Sequence, residues 1–174
     1  MSLKLVGPDN PKLRTVCTFT DLKKAVAVGN NLLKFARSHP CLGLAANQLG
    51  FTERVCVAKI NGKFQVFINP QIIESSPETQ ISKDEGCLSF PDQRGTIIRP
   101  KTITIQYMVI DKWTSSGCIE FFEGINAIII EHEIDHLDGI RCIDKFQKKI
   151  PTNSDLDDLI RKSVKAIAKP EVKP

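Results

Sequence analysis

A chain of 174 residues with 41% hydrophobic and 25% charged side chains has the size and composition of one ordinary globular domain. That composition excludes a disordered or collagen-like polymer, and no apolar run reaches the length of a membrane-spanning helix. A net charge of +4 is too mild to require nucleic acid or an anionic surface, so neither a DNA nor a membrane partner is expected.

The first residues carry no long apolar segment with a small-residue cleavage site, which makes the cytoplasm the expected compartment. After Pro8 and Pro11, Thr20 caps a predicted helix over 21–37, with Leu22, Ala25, Val26, Leu32, Leu33 and Ala36 at helical spacing and Pro40 beyond its end. The stretch Cys41–Gly50 is rich in small residues. Gly43 and Ala45–Ala46 leave the backbone uncovered, which suits either close approach of a ligand or strand, or a tight packing turn. Arg54–Ile60 and Lys63–Ile68 read as antiparallel strands joined by Asn61–Gly62, since Asn and Gly tolerate the positive φ of a type I′ turn. Asn69–Pro77 reads as an edge strand closed by a turn. Lys101–Met108 alternates as a half-buried strand, Trp113–Gly117 turns the chain back, and Gly117–Phe122 is its partner.

Gly124–Gly139 is then a predicted buried helix, with Ile125, Ile128, Ile129, Ile130 and Leu137 around a few polar residues. From Ser154 a last amphipathic helix is predicted over about 154–168, with Ser154 as cap, acidic Asp155, Asp157 and Asp158 in the first turn, and an apolar face of Leu156, Leu159, Ile160, Val164 and Ile167. No repeat or linker divides the chain, so residues 1–174 are expected to form a single α+β domain. Antiparallel β-sheets would pack around the central helix, with an N-terminal helix and a C-terminal amphipathic helix beside them.

The central helix contains His132-Glu133-x-x-His136. Two His four residues apart share one face and can grip one metal ion; the metal acidifies a water, and the neighbouring carboxylate takes or relays its proton. A third ligand must come from elsewhere. The six Cys are widely and irregularly spaced and read mostly as reduced core thiols. Cys87, in Asp84-Glu85-Gly86-Cys87-Leu88-Ser89-Phe90-Pro91, is the candidate, with a further buried thiol as the alternative reading. A thiolate and two imidazoles leave one position open, as catalytic sites do.

Gly43-Leu-Ala-Ala-Asn-Gln48, Glu85-Gly-Cys-Leu-Ser89 and His132-Glu-Ile-Asp-His136, in this order and at these separations, resemble the three signature motifs of the peptide deformylases. The resemblance spans about Cys41 to Gly139 and implies the deformylase fold. It implies that Cys87, His132 and His136 bind the metal, that Glu133 is the general acid/base, and that the Gln48 amide and the Leu88 backbone N–H hold the oxyanion. It implies removal of the formyl group from N-formylmethionyl peptides, releasing formate. Gly43 would contact the extended peptide; Leu42, Ile125, Ile128 and Ile129, with Arg94 near the rim, would shape the methionine pocket. Glu85 and Arg99 would pair to brace the Cys87 loop, and Asp135 either steadies the ligand helix or makes an ordinary surface ion pair. The resemblance implies one divalent ion as cofactor, Fe(II) in the cell, with Ni(II), Co(II) or Zn(II) able to substitute; the donor set itself disfavours calcium and magnesium.

The chain departs from the family pattern at Cys41, where a Gly is usual, at Asn47, where Pro or Thr is common, and at Pro40, where many bacterial members carry an acidic residue. The resemblance also implies a tail helix that docks on the ribosome, for which Arg161, Lys162, Lys165, Lys169 and Lys173 would suit ribosomal RNA phosphates; the alternative is a helix packed on its own domain. Two other functions compete: a zinc endopeptidase using the His132–His136 motif alone, and a non-catalytic module that binds nascent chains or the ribosome.

Overall fold

The computed structural model describes residues 3–110 and 115–148. The predicted C-terminal helix, and Trp113 and Thr114 of the predicted turn, lie outside the described residues. Asn61 and Gly62 adopt φ of 48° and 82° and close the hairpin between β2 (Val55–Ile60) and β3 (Lys63–Ser75), as their side chains dictate. Short β1 (Gly43–Ala45) pairs with β2 on one side, and β3 continues across to β6 (Thr102–Ile110), which pairs with β7 (Ser115–Glu123). The five-stranded antiparallel sheet therefore has the order β1-β2-β3-β6-β7. A separate two-stranded sheet is formed by β4 (Thr79–Cys87) and β5 (Phe90–Pro100).

Asn69–Pro77 corrects its expectation. Through Ser75 it continues β3, which lies at the centre of its sheet and not at an edge. Pro70 is tolerated because the ladder to β6 shifts register between Ile68 and Gln71, a bulge with Asn69 at φ 52°. The N-terminal helix α1 (Leu22–Arg37) is capped by Asp21, whose carboxylate accepts from Lys24 N at 3.0 Å, one residue later than Thr20. Its buried face is Ala25, Val28, Gly29, Leu32, Phe35 and Ala36; Val26 is exposed, and the helix stops at Ser38 before Pro40.

Helix α2 (Gly124–Leu137) enters directly from β7 and packs on β1 and β2, with Ala127, Ile129, Ile130, Ile134 and Leu137 in the core shared with Leu44, Val55, Val57 and Ile105. Its last turn closes with Gly139 at φ 74°, where Ile140 N reaches back to Asp135 O. Ile125 is the exception to the predicted burial: it is 60% exposed at the open end of the helix. All six Cys are free thiols. Among the described residues no helix is long and apolar enough to cross a membrane.

Candidate active site

Helical spacing places His132 and His136 one turn apart, their ring centroids separated by 4.9 Å, and the apolar flanks of α2 carry both rings into the interior. Cys87 arrives from the other sheet. It ends β4 and pairs across the tight hairpin with Phe90, which turns its sulfur toward α2 at 3.2 Å from His136 Nε2. One donor atom from each of Cys87, His132 and His136 lies within 4.8 Å of the others, although Cys87 stands 45 positions before the first of the two His in sequence.

A buried charge network holds this group. Glu85 Oε1 lies 2.7 Å from His132 Nδ1, so Nδ1 carries the proton and Nε2 keeps its lone pair for the donor cluster. Arg99, fully buried, donates to Glu85 from Nε (2.9 Å) and Nη2 (2.6 Å), while its Nη1 meets Glu131 (2.9 Å) and Asp135 (3.0 Å). Lys145 adds a second cation, 3.2 Å from Glu131 and 2.8 Å from Asp135. Burial works to raise the Glu85 carboxyl, but the hydrogen bonds and charges of Arg99 and His132 hold it well below the usual carboxylate range. Burial, with His132 beside it, keeps His136 neutral. Burial also opposes a charge on His132, yet its hydrogen bond to Glu85 and the carboxylates around it raise that ring above its ordinary value.

Glu133 lies inside this shell, 3% exposed, with Oε2 unpartnered among the described residues. Burial pushes its carboxyl up to about 7, the range in which a proton is both accepted and released near neutral pH. Gly43 makes the room: a Cβ there would collide with the Glu133 carboxylate. Gln48, on a 3₁₀ turn over Ala46–Leu49, is 2% exposed. Its Oε1 accepts from Ala45 N at 2.8 Å, which aims Nε2 at Cys87 Sγ (3.3 Å) and Ser89 Oγ (3.1 Å). Leu88, between Cys87 and Ser89, faces the same space.

That space is a cleft of about 720 Å³ bordered by Gln48, Cys87, Leu88, His132 and Glu133, with Leu42, Gly43, Arg94, Ile125, Ile128 and Ile129 along its walls. Every residue expected at the site borders it except His136, which stands one turn further inside. Arg94 folds over Gly86 and pairs with Asp84 at 2.9 Å, so it forms rim and not floor. The expected Glu85–Arg99 pair is present, and Asp135 belongs to the same buried network, which sets aside a surface ion pair. Asn47, Glu131 and Lys145 carry roles that the sequence did not announce. Asn47 is fully buried and its amide donates to the His136 carbonyl, tying the Gly43–Gln48 segment to the ligand helix. A buried Asn inside a recognised motif was the available signal; Lys145 gave none.

The cluster fits a divalent transition metal. One thiol and two imidazoles, the inner one kept neutral, form a borderline-soft donor set, and atoms this close need only small rotations to reach one ion at about 2.0–2.3 Å.

Residues 3–151 match the polypeptide deformylase family model. The peptide deformylase of Treponema pallidum is 39% identical over 151 residues, covering 86% of this chain and 90% of that protein. The Rhizobium meliloti enzyme is 35% identical, covering 83% and 84%. Among solved structures, the peptide deformylase of Thermotoga maritima superposes with a TM-score of 0.77 at 29% identity, covering 84% of this chain and 99% of that one. The inhibitor complex of the Plasmodium falciparum peptide deformylase gives 0.75 at 30% identity, covering 91% and 99%. With matches of this length running through every segment that builds the cleft, the chain belongs to the polypeptide deformylase family.

Proposed function

We propose that this chain, as a single domain, removes the formyl group from the N-terminal formylmethionine of newly made polypeptides in the cytoplasm, with one divalent metal held by Cys87, His132 and His136. The observation that carries this reading is the convergence of those three donors beside a buried, space-fitted Glu133 at the floor of an apolar-walled cleft. Once bound, the metal supplies a Lewis acid that lowers the pKa of water. Glu133 takes a proton from the attacking water and passes it to the departing amine, for which a carboxyl raised by burial is suited. The Gln48 amide and the Leu88 backbone N–H meet the charge that develops on the formyl oxygen; Gln48 is already oriented by Ala45. Leu42, Ile125, Ile128 and Ile129 receive the methionine side chain, an unbranched thioether that adapts to branched apolar walls. Gly43 offers the edge of β1 to the extended peptide, and Arg94 borders the mouth.

Iron(II) is the ion we assign in the cell, with Ni(II), Co(II) or Zn(II) as substitutes, since thiolate with imidazole binds all four. The basic residues after position 160 suit contact with ribosomal RNA.

The test is formate release from formyl-Met-Ala-Ser by protein purified without oxygen and loaded with Fe(II) or Ni(II), beside Glu133→Ala. Release by the native protein, lost in a variant that keeps its metal, is expected. A folded, metal-loaded native protein without release would overturn the assignment, and cleavage of internal bonds in unformylated peptides would redirect it to an endopeptidase.

A further inference from the structure

Cys142 opens a 3₁₀ turn (Cys142–Asp144) just beyond α2, and its side chain is 2% exposed. It belongs to a small buried cluster with Leu13, Phe90 and Ile97, distinct from the main core, and Cys87 packs against that cluster from the cleft side. β4, which ends at Cys87, and the turn of Cys142 are in direct contact, and Cys87 packs on the cluster that contains Cys142. Cys142 is not one of the three clustered donors. Cys17 and Cys56 lie in the main core, and Cys41 and Cys118 pack on its margin. One sulfur thus faces the cleft and a second waits behind it, sheltered from solvent.

We propose that Cys87 and Cys142 form a reversible dithiol–disulfide site for hydrogen peroxide, with Cys87 as the sulfur oxidised first and Cys142 as the sulfur that resolves it. The Cys87 sulfur attacks one peroxide oxygen, the O–O bond breaks, and the second oxygen leaves as water; Cys87, oxidised by two electrons, is then a sulfenic acid. The Cys142 sulfur attacks the Cys87 sulfur, an S–S bond replaces the S–O bond, and the hydroxyl leaves with the Cys142 proton as water. Two thiols and one peroxide become one disulfide and two waters. The exposures set the order, because Cys87 borders the cleft that peroxide enters, whereas Cys142 does not border it and is buried. Proximity makes the second step intramolecular, so it competes with further oxidation of Cys87 to the sulfinic and sulfonic acids that simple thiols do not reverse. If Cys87 holds the metal, the disulfide also releases the ion and stops turnover, a consequence that rests on the proposed function; the sulfur chemistry does not.

The experiment treats native protein, Cys142→Ser and Cys142→Ala, each both metal-free and loaded with Fe(II), with stoichiometric hydrogen peroxide. Free thiols are then blocked and the peptides mapped by mass spectrometry. Native protein is expected to yield one Cys87–Cys142 disulfide that dithiothreitol reverses, with deformylation restored on reloading the metal. Both variants, active before treatment, are expected to carry Cys87 sulfinic or sulfonic acid and to recover less than a tenth of the native regain. Equal over-oxidation of Cys87 in native protein and variants, a disulfide from Cys87 to any other cysteine, or no oxidation of Cys87 would overturn the proposal. The mass readout is independent of whether the protein deformylates.

Discussion

At the scale of single residues, the site depends on one side chain that is not there. Gly43 lies against the Glu133 carboxylate so closely that any Cβ would displace it. Gly43→Ala should therefore retain metal, since Cys87, His132 and His136 are untouched, but lower kcat roughly 10- to 100-fold through misplacement of the base. Metal analysis beside steady-state kinetics checks both halves; a variant with native kcat would remove Glu133 from the proton path. The pH dependence follows from Glu133 itself. A base acts when ionised, so kcat/KM must fall as pH drops through its pKa. Burial places that value at about 7 in the protein alone, and a cation beside it favours the carboxylate, so the acid limb of the loaded enzyme should lie below 7. A limb at higher pH would contradict a metal next to Glu133. These residues were legible because their chemistry is written locally: His132 and His136 share a helix face by spacing alone, and Asn61–Gly62 dictates its turn. Arg99 was named only as a partner of Glu85, since nothing around it in sequence tells that it is wholly buried among three carboxylates.

Among the elements, the β4–β5 hairpin is the one that sequence patterning hid. Thr79–Cys87 carries Lys83, Asp84 and Glu85 in a row, and its pairing with β5 shifts register twice, with Asp84 at φ 56°, so no two-residue alternation survives. The hairpin delivers Glu85 inward to His132 and Cys87 to His136, two residues apart on the face turned toward α2. The continuation of β3 past Pro70 was hidden by another bulge. Arg99 joins these elements, linking β5 to β4 through Glu85 and to α2 through Glu131 and Asp135. Replacing it leaves Glu85 with His132 alone, and Glu131 and Asp135 with Lys145 alone. Arg99→Gln should cost about 3–5 kcal/mol of stability, because breaking a buried pair exposes the cost of the unpaired charges. It should also weaken metal binding about 10- to 100-fold by freeing Glu85 from its hold on His132. Urea denaturation of the metal-free protein and competition with a chelator measure the two effects separately. A variant within about 1 kcal/mol of native would show that Glu85 and Asp135 are satisfied by other groups, Lys145 first among them.

For the whole molecule, the question is how far the fold depends on the ion. The main core runs from Leu32 and Phe35 of α1 through Val55, Phe67 and Ile105 of the sheet to Ile130 and Leu137 of α2, and none of its packing requires a metal. The Glu85–Arg99–Asp135 network is likewise complete in protein groups alone. This differs from small zinc domains, in which the ion replaces the core and its removal unfolds the chain. Removing the metal should then leave far-ultraviolet circular dichroism unchanged and lower Tm, because the ion binds the folded state alone. At free metal about 100 times Kd, the stabilisation is about 2.7 kcal/mol, or roughly 5–10 °C for a chain of this size. Cys87→Ser, which replaces a soft donor with a poor one, should shift the apo Tm little and abolish most of the metal-dependent rise. Loss of secondary structure on chelation would place the ion among the determinants of the fold. A Cys87→Ser protein that kept the full metal-dependent rise would mean that the ion sits elsewhere than at Cys87, His132 and His136.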